Sequence, residues 1–447
     1  MTLEALLFIL SGILVGIACG FMPSIGMAVA FIMLWPIILV QPFDVSIAFM
    51  MVVYTSVFFA SSVSALWLGI AGDPTSFPIL QERNNIRRQD YGAALKRTAQ
   101  ASGITAIIGI VITTLLIGIA SNYLVFFIKT TTSASLLIIM ILISIFWSKN
   151  KIYQNIILVG MGGITGLVGW HVFLNAGFLI FNNPYLYNGI PLLPVVLGVY
   201  AVPIMWESAK QGWKSRNEKI NIDADDFCIP KTNVSLGATT RGGIIGYFMG
   251  LVPMIGTSIA SNVAWAAENR FQKNKTSLKT PVLDRITASE AANNAAASAV
   301  LAPLLVLGVA IVPSEMIILA IMQERGWNSS YVSLQTLLTV IVSISVACII
   351  LYKLCVTYAH FVMQYFFKYQ FYILLVFVGI LIYGVYYTGS NTLQQEFYLL
   401  VFFIASAIGF LLKKLEWDPI PLVIALMVSD MAVPIVLRTF QIVKSYM

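Results

Sequence analysis

The sequence predicts an all-α polytopic membrane protein built from two repeats. Three observations carry this prediction: the composition, the length of the apolar stretches, and a recurring set of glycines and prolines. Of the 447 residues, 59% are hydrophobic and 10% are charged, and the mean hydropathy is +0.88. A soluble chain is about 45–50% apolar and about 25% charged, so this chain has too little polar surface for water. A spanning helix takes about 20 residues, so the length allows roughly ten to twelve spans.

The recurring glycines and prolines indicate an internal duplication. Every member of the first set returns 230 residues later: Gly12, Gly16, Gly20, Pro23 and Gly26 are matched by Gly242, Gly246, Gly250, Pro253 and Gly256. Glycine at every fourth position is common where membrane helices pack. Five positions that all recur at one constant offset are not expected from helix packing alone. The longest polar segment lies between the two sets. We therefore predict a first membrane repeat over 1–206, a polar linker over 207–233 and a second membrane repeat over 234–447.

Basic residues are distributed oppositely in corresponding loops of the two halves. The connection 41–44 has no Lys or Arg, whereas 268–285 has five; segment 73–98 has five, whereas 312–330 has only Arg325. Basic loops tend to remain in the cytoplasm, so the two repeats are predicted to have opposite topology. Inverted repeats are typical of secondary transporters, whose binding sites lie near the midplane. Chance scatter of charge in short loops is the alternative.

Two proline-containing tips interrupt otherwise continuous apolar runs, at residues 20–26 and 250–256. Proline breaks the helical hydrogen-bond ladder, and irregular backbone at membrane depth is tolerated where it is buried in protein or lines a wet cavity. Each tip is therefore predicted to belong to a re-entrant or broken helix that faces a binding site. A simple proline kink is the alternative, and the sequence leaves open whether 5–40 forms a hairpin or one long span.

The arms that follow the tips are predicted to bind an anion. A helix N-terminus offers unpaired N–H groups and partial positive charge, which favour a carboxylate without any Lys or Arg. The backbone and hydroxyl contacts of these arms are predicted at Ser24, Gly26, Gly256, Thr257 and Ser258. The residues predicted to line the rest of the substrate site are Ser61, Ser62, Asn293 and Asn294. Carbonyls near Gly72 and Ala310, together with Asp73, are candidates for binding a coupling cation.

Glu290 has two interpretations. As an acid within an apolar region, it is a candidate for an ion or proton path. Because Thr287 precedes it by three residues, it also fits a capping box at a helix start. The neighbouring amides of Asn293 and Asn294 would be costly to bury unless they pair with each other, with the partner repeat or with a ligand.

Several functions are excluded or made improbable by the residue inventory. Two histidines and four cysteines show no metal-ligand spacing, so no metal site is expected. The net charge of +7 fits cytoplasmic basic loops rather than nucleic-acid binding. No nucleophile, metal-binding helix or cofactor motif suggests an enzyme, and no cofactor is expected beyond the coupling cation. The N-terminus lacks a basic flank and a cleavage site and is expected to be retained.

At these residues the sequence resembles the large membrane subunit of the tripartite tricarboxylate transporters. The Pro-Gly-Leu-Gly tips of that family are matched by 23–26 and 253–256, and its Glu-Ala-x-Asn-Asn-Ala-Ala segment by 290–296. The similarity covers about residues 10–110 and 236–330. The chain departs from the family pattern where Ser24 and Met254 replace the first glycine of each tip. It departs again where Ala71-Gly72 and Ala310-Ile311 replace Pro-Gly.

The resemblance implies a secondary transporter that imports organic dicarboxylate or tricarboxylate anions, coupled to a sodium or proton gradient. It also implies an elevator-type mechanism, a small four-span membrane subunit, a periplasmic solute-binding protein and a multi-pass location in the bacterial inner membrane. The departures at the tips leave open a diverged member with an altered substrate. An ion or solute channel, with a continuous pore instead of alternating access, is the other alternative.

Overall fold

The computed structural model describes residues 2–22, 27–69, 72–124, 141–142, 145–146, 150–171, 176–215, 234–251, 256–273, 281–307, 313–327, 332–389, 391–426 and 429. Several predicted features lie outside these residues. They are the two proline tips with Ser24 and Gly26, most of the linker, and Ala310.

The described residues are mostly helical. The helices of the first half are α1 (Leu3–Phe21), α2 (Met27–Leu39), α3 (Phe43–Leu68), α4 (Phe77–Glu82), α5 (Tyr91–Leu124), α6 (Ile152–Leu167), α7 (Leu192–Val196) and α8 (Val202–Ser215). Those of the second half are α9 (Leu236–Gly250), α10 (Gly256–Lys273), α11 (Pro281–Ala299), α12 (Pro313–Glu324), α13 (Leu334–Tyr352), α14 (Ala359–Thr388) and α15 (Thr392–Lys414). A short 3₁₀ turn, Pro74–Ser76, precedes α4.

Five helical segments in the described part of the chain are long and apolar enough to cross a membrane: Leu3–Phe21, Phe43–Leu68, Arg88–Ile119, Leu334–Thr357 and Thr392–Lys414. These spans agree with the predicted all-α membrane protein. An antiparallel ribbon of two strands, β1 (Gly169–His171) and β2 (Ala176–Phe178), was not predicted. It is too short to alter the fold class.

The chain forms two compact units, each of which takes segments from both halves of the sequence. The first unit comprises Met1–Phe31, Ile38–Ala120 and Ser208–Leu375, and the second comprises Ile32–Ile37, Ser121–Glu207 and Val376–Met447. The division into 1–206 and 234–447 concerns the sequence repeat and stays a prediction.

In the first unit, the recurring glycines make the same helix contact twice. Gly16 and Gly20 of α1 lie against the carbonyl oxygens of Val53 and Val57 in α3, and Gly12 packs on the Phe49 ring. In the second half Gly242, Gly246 and Gly250 of α9 lie against Ala288, Ala292 and Ala296 of α11. The α3 and α11 partners are offset by a constant 239 residues. Small residues at these positions let the backbones approach closely, and the repeated contact supports duplication.

The same contacts give the relative direction of the helices. Successive glycines along α1 meet successive residues along α3, so the two helices run parallel. The Phe8 and Phe49 rings stack with centroids 4.5 Å apart, which places the two N-terminal ends together. The chain must therefore return between α1 and α3, and α2 is the returning arm. Of the two possibilities for 5–40, the structure shows the hairpin.

The capping-box interpretation of Glu290 is wrong. Helix α11 begins at Pro281, so Thr287 and Glu290 lie in its interior rather than at its first turn. The Thr287 hydroxyl donates to the Leu283 carbonyl 2.6 Å away, as interior helical threonines do. Glu290 therefore has no capping function at this helix end.

The second unit is held by close packing of glycines and by polar contacts near helix ends. Gly198 packs on α15 beside Ala405, and Gly409 of α15 lies against the Val199 carbonyl. The Lys413 ammonium pairs with Glu207 at 2.6 Å and donates to the Pro203 carbonyl. These contacts join α15 to the segment between α7 and α8 and to the first half of α8.

Candidate functional site

Asp73 is buried in the first unit beside the start of α2. One carboxylate oxygen accepts from the Thr75 amide at 3.0 Å, and the other accepts from the amide of Met27, the first residue of α2, at 3.4 Å. Only 6% of Asp73 is exposed. The chain therefore places its own carboxylate at the helix N-terminus that was predicted to hold the substrate.

Ser61 fixes the backbone around Asp73. Its hydroxyl oxygen accepts from the Asp73 amide at 2.7 Å and lies 2.8 Å from the Ser76 hydroxyl, which donates to the Asp73 carbonyl. Gly72 lies so close to the Gly20 carbonyl that a Cβ atom would collide with it. Ser61, Gly72 and Asp73 thus form one assembly where α1 ends and α2 begins.

A second polar group lies on α11 and is fully buried. The Asn293 amide donates to one oxygen of the Glu290 carboxylate at 3.2 Å, and the Ser102 hydroxyl lies 3.4 Å from the same oxygen. The Asn294 amide donates to the Asn293 side-chain oxygen at 2.5 Å and to the Glu290 carbonyl at 3.2 Å. The two asparagines therefore pair with each other and with Glu290.

Two buried acceptors of this second group are left over. Glu290 Oε1 and Asn294 Oδ1 have no hydrogen-bond partner among the described residues. The Ser62 hydroxyl is within hydrogen-bonding reach of both the Glu290 carboxyl and the Phe58 carbonyl, the latter at 3.0 Å. Buried acceptors without donors are costly, so these atoms are candidates for ligand contact.

The arm that begins α10 approaches a third group. Gly256 has a φ of +60°, a left-handed conformation that favours glycine. The side chain of Thr257 reaches the hydroxyl group of Tyr54 in α3, which donates to the Glu315 carboxylate at 2.9 Å. Tyr54 and Glu315 are 1% and 0% exposed. The group therefore connects α3, α10 and α12.

Ser261 connects the arm of the second half to the turn after Asp73. Its hydroxyl donates to the Thr75 carbonyl at 2.6 Å and lies 2.6 Å from the Ser289 hydroxyl. Within the described part of the chain, the Ser258 hydroxyl makes no hydrogen bond, and the Ser258 carbonyl accepts from the Asn262 amide.

Ion pairs connect the two basic segments, 73–98 and 268–285, near this region. Arg285 at the start of α11 donates to both oxygens of Glu82 in α4, at 2.6 and 2.9 Å. The Trp265 indole donates to Glu82 at 2.9 Å, and Arg97 pairs with Asp284 at 3.2 Å. Burial acts to raise the pKa of Glu82, but the hydrogen bonds from Arg285, Asn85 and Trp265 outweigh it and hold the pKa below its ordinary value.

The structure brings most of the predicted site residues into three neighbouring groups of the first unit. Ser61, Gly72 and Asp73 belong to the first, Ser62, Asn293 and Asn294 to the second, and Gly256 and Thr257 to the third. Tyr54 and Glu315 were not predicted from the sequence. A signal for Glu315 existed, because Pro313-Ser314-Glu315 follows Pro74-Thr75-Ser76 at the same 239-residue offset that relates α11 to α3.

These features define a class of protein. Five helices in the described residues are long and apolar enough to span a membrane, and the first unit buries carboxylates, amides and hydroxyls. Polar residues inside membrane proteins mark solute and ion paths, so the fold and the site define a polytopic membrane transport protein.

The chain belongs to the family described as the tripartite tricarboxylate transporter TctA family, whose model matches residues 6–424. It is similar to an Agrobacterium vitis protein described as "Uncharacterized 52.8 kDa protein in TAR-I ttuC' 3'region", with 24% identity over 307 residues. That match covers 67% of this chain and 59% of the relative, so the chain spans less than two thirds of the relative's length. No solved structure matches the chain significantly. The family is one of transporters, not enzymes, and its name implies further subunits.

Proposed function

We propose that the chain is the large membrane subunit of an importer for organic dicarboxylate or tricarboxylate anions. A periplasmic solute-binding protein delivers the substrate, and a small four-span subunit associates with the chain in the bacterial inner membrane. The observation that carries the proposal is that both arm starts lie against buried polar groups of one unit: Met27 against Asp73, and Thr257, next to Gly256, against Tyr54. The substrate contacts proposed for the two arms are Ser24, Gly26, Gly256, Thr257 and Ser258.

The two repeats are proposed to have inverted topology. Arg83, which follows α4, donates to the Leu66 carbonyl at the end of α3, and the neighbouring Glu82 binds Arg285 at the start of α11. The end of α3 and the start of its repeat equivalent α11 are therefore on the same side. Because the end of α3 and the start of α11 lie on the same side, these equivalent helices run in opposite directions. The basic residues on this side favour its location in the cytoplasm. Inverted repeats suit elevator-type alternating access, which we propose for this chain.

The charges around the arms support ion-coupled transport. Asp73 lies at the start of α2. The Tyr54 hydroxyl group contacts both Glu315 and Thr257, so Glu315 is connected to the start of α10. Glu290 is close enough to Asp73 for their charges to interact. A substrate anion that enters among buried carboxylates requires accompanying positive charge, because uncompensated buried charges are costly. Sodium ions or protons would supply that charge.

Uptake into proteoliposomes tests the function. Vesicles containing the chain and its small subunit are given labelled succinate or citrate, with and without the solute-binding protein, under sodium or proton gradients. We expect saturable uptake that requires the binding protein and responds to one of the gradients. Unsaturable flux that is independent of both would instead show a channel.

Variants connect the uptake to the arm of α10. Thr257→Val is expected to lower uptake about tenfold or more. The variant lacks the hydroxyl proposed to hydrogen-bond the substrate, and a polar group of the bound substrate would then have no partner. Thr240→Val is the matched control, since Thr240 is exposed on α9 and its hydroxyl donates to the Leu236 carbonyl within the helix. Equal uptake by both variants would remove Thr257 from the site.

A further inference from the structure

The connection between α6 and α7 in the second unit carries no charge. From residue 152 to residue 206 the sequence contains no Asp, Glu, Lys or Arg, although Lys151 and Glu207 stand on either side of this stretch. Protein surface that faces water ordinarily carries charged side chains. The residues that join the two helices, 168–191, therefore lack the charged covering of a loop in water.

This connection lies at the opposite end of the second unit from Lys151 and Lys413. Lys151 caps the start of α6, so the connection begins at the far end of that helix. Near the end of α15, Lys413 pairs with Glu207. Near the start of α15, the ring of Phe397 contacts that of Tyr185 in the connection, with centroids 5.7 Å apart. Because basic residues favour the cytoplasmic side, the connection is expected at the outer boundary of the membrane.

A tight turn that follows β2 presents a strongly exposed phenylalanine. The Asn183 amide donates to the Ile180 carbonyl at 2.7 Å and closes the turn. The two central residues, Phe181 and Asn182, have φ of +46° and +55°. Turns with two left-handed residues are normally made by Asn, Asp and Gly, and a bulky residue there is strained. Phe181 is nevertheless 80% exposed, more than any other large apolar side chain in the described part of the chain.

The turn is held in place by the residues beside it. The Asn183 side chain accepts from the Tyr185 amide at 3.0 Å, which fixes the chain directly after the turn. At the base of the ribbon, Gly169 lies so close to Gly189 that a Cβ atom on Gly169 would be 3.1 Å from the Gly189 backbone. The strained backbone therefore holds Phe181 outward. Strain of this kind is concentrated at functional positions.

The exposed surface of the turn continues an apolar surface of α6. Phe178 and Leu179, directly before the turn, are also exposed. The α6 side chains that are at least 40% exposed include Ile152, Ile156, Ile157, Met161 and Ile164. Exposed apolar patches mark contact with protein or with a membrane. A protein-docking surface has a polar rim, whereas this surface has no charged residue and adjoins a membrane helix, so lipid is the favoured partner.

We infer that residues 178–181 form an interfacial anchor, which inserts Phe178, Leu179 and Phe181 among the phospholipids of the outer leaflet. Phe and Leu side chains of surface-bound segments enter the boundary between headgroups and acyl chains. Insertion removes their apolar surface from water, which offsets the strain of the turn. The anchor fixes the depth of the second unit at the outer boundary. It does not depend on which solute the chain transports.

Spin-label accessibility in phospholipid vesicles that contain the full chain tests the anchor. A nitroxide is attached to Phe181→Cys in a Cys228→Ser background. The native cysteines that are buried, and are therefore expected to escape labelling, are Cys19, Cys348 and Cys355. Oxygen, which dissolves in lipid, should collide readily with the label. A water-soluble nickel chelate should collide with it about tenfold less than with a label in water, because the side chain lies below the headgroups.

Two variants provide the matched controls. Glu416 is exposed and has a φ of +58°, and its amide donates to the Lys413 carbonyl at the opposite end of the unit. A label on Glu416→Cys therefore reproduces the left-handed backbone in water and should meet the chelate freely. A label on Ile157→Cys lies on the exposed face of α6 and should show the lipid pattern. Leu179→Cys is a second probe of the anchor and should resemble Phe181→Cys.

Three results would overturn the anchor. One is chelate accessibility at Phe181→Cys and Leu179→Cys equal to that at Glu416→Cys, since the turn would then lie in water. Another is shielding of both labels from oxygen and chelate alike, which would show burial in protein. The third is shielding that appears only when the solute-binding protein or the small subunit is added, which would make the turn a protein-docking surface. Failure of carboxylate uptake would leave the anchor unaffected, because no substrate enters this measurement.

Discussion

Arg285 holds the carboxylate of Glu82 through two hydrogen bonds of 2.6 and 2.9 Å, although the two residues are 203 positions apart in the chain. The two side chains are only 15% and 4% exposed, so the pair is largely shielded from water. Two parallel bonds fix direction as well as distance. The pair therefore sets how the start of α11 lies against α4, and with it the arrangement of both halves.

Glu82→Gln is expected to destabilise the chain by about 3 kcal/mol at neutral pH, because it leaves the buried guanidinium without its counter-charge. The thermal unfolding midpoint of the purified chain in detergent measures the loss. Asp90→Asn is the matched control, since its partner Arg87 is 75% exposed and the pair lies in water. The control should change stability by less than about 0.5 kcal/mol. Equal losses would show that the Glu82 pair contributes no more than a surface pair.

The contribution of Glu82 should depend on pH with a defined sign. Its pKa is held below the ordinary value of 4.5, so the folded state favours the ionised form. The stabilisation is present above that value and is lost as the pH falls through the lowered folded-state pKa. The difference in unfolding midpoint between wild type and Glu82→Gln should therefore shrink as the pH is lowered below 4.5. A difference that grows on acidification would contradict this explanation.

Sequence could predict the helix packing but not the contacts between distant side chains. The glycines of α1 and α9 were visible because close packing demands small residues at fixed spacing. From sequence, Glu290 fitted a helix cap as well as an ion or proton path. The apolar residues around it did not reveal that α11 already begins at Pro281. Tyr54 was missed because a tyrosine in an apolar run gives no sign of its partner, and Glu315 lies 261 residues away. Such pairs depend on the three-dimensional arrangement.

Gly246→Ala is expected to destabilise the contact between α9 and α11 strongly. A Cβ atom at Gly246 would collide with the backbone of Ala292, which cannot rotate away as a side chain can. Overpacking of this kind costs about 1–3 kcal/mol. Gly163→Ala in α6 is the control, because nothing lies within 4 Å of its added methyl group. Alanine is the better helix former, so the control should be neutral or slightly stabilising in the same unfolding measurement.

Tyr54→Phe should lower both stability and uptake. The change removes the hydroxyl that donates to Glu315 at 2.9 Å and leaves that buried oxygen without this donor, at a cost of about 1–3 kcal/mol. Tyr247→Phe is the control, since its hydroxyl lies 3.0 Å from that of Thr113 and the site is partly accessible. Uptake in proteoliposomes should fall much more for Tyr54→Phe, because this hydroxyl group also contacts the arm at Thr257. Similar uptake by both variants would show that the Tyr54 hydroxyl has no role in transport.

Gly256→Ala should reduce uptake beyond what backbone strain explains. Gly256 starts α10 with a φ of +60°, and an alanine in this left-handed region costs about 1–2 kcal/mol. Gly326 has nearly the same φ, +66°, and nothing lies within 4 Å of a Cβ added there, so Gly326→Ala reproduces the strain away from the proposed substrate. Both variants are expected to lose similar stability, while only Gly256→Ala should raise the substrate concentration needed for half-maximal uptake. If the two variants lose uptake in parallel, the arm start acts through stability alone and does not contact the substrate.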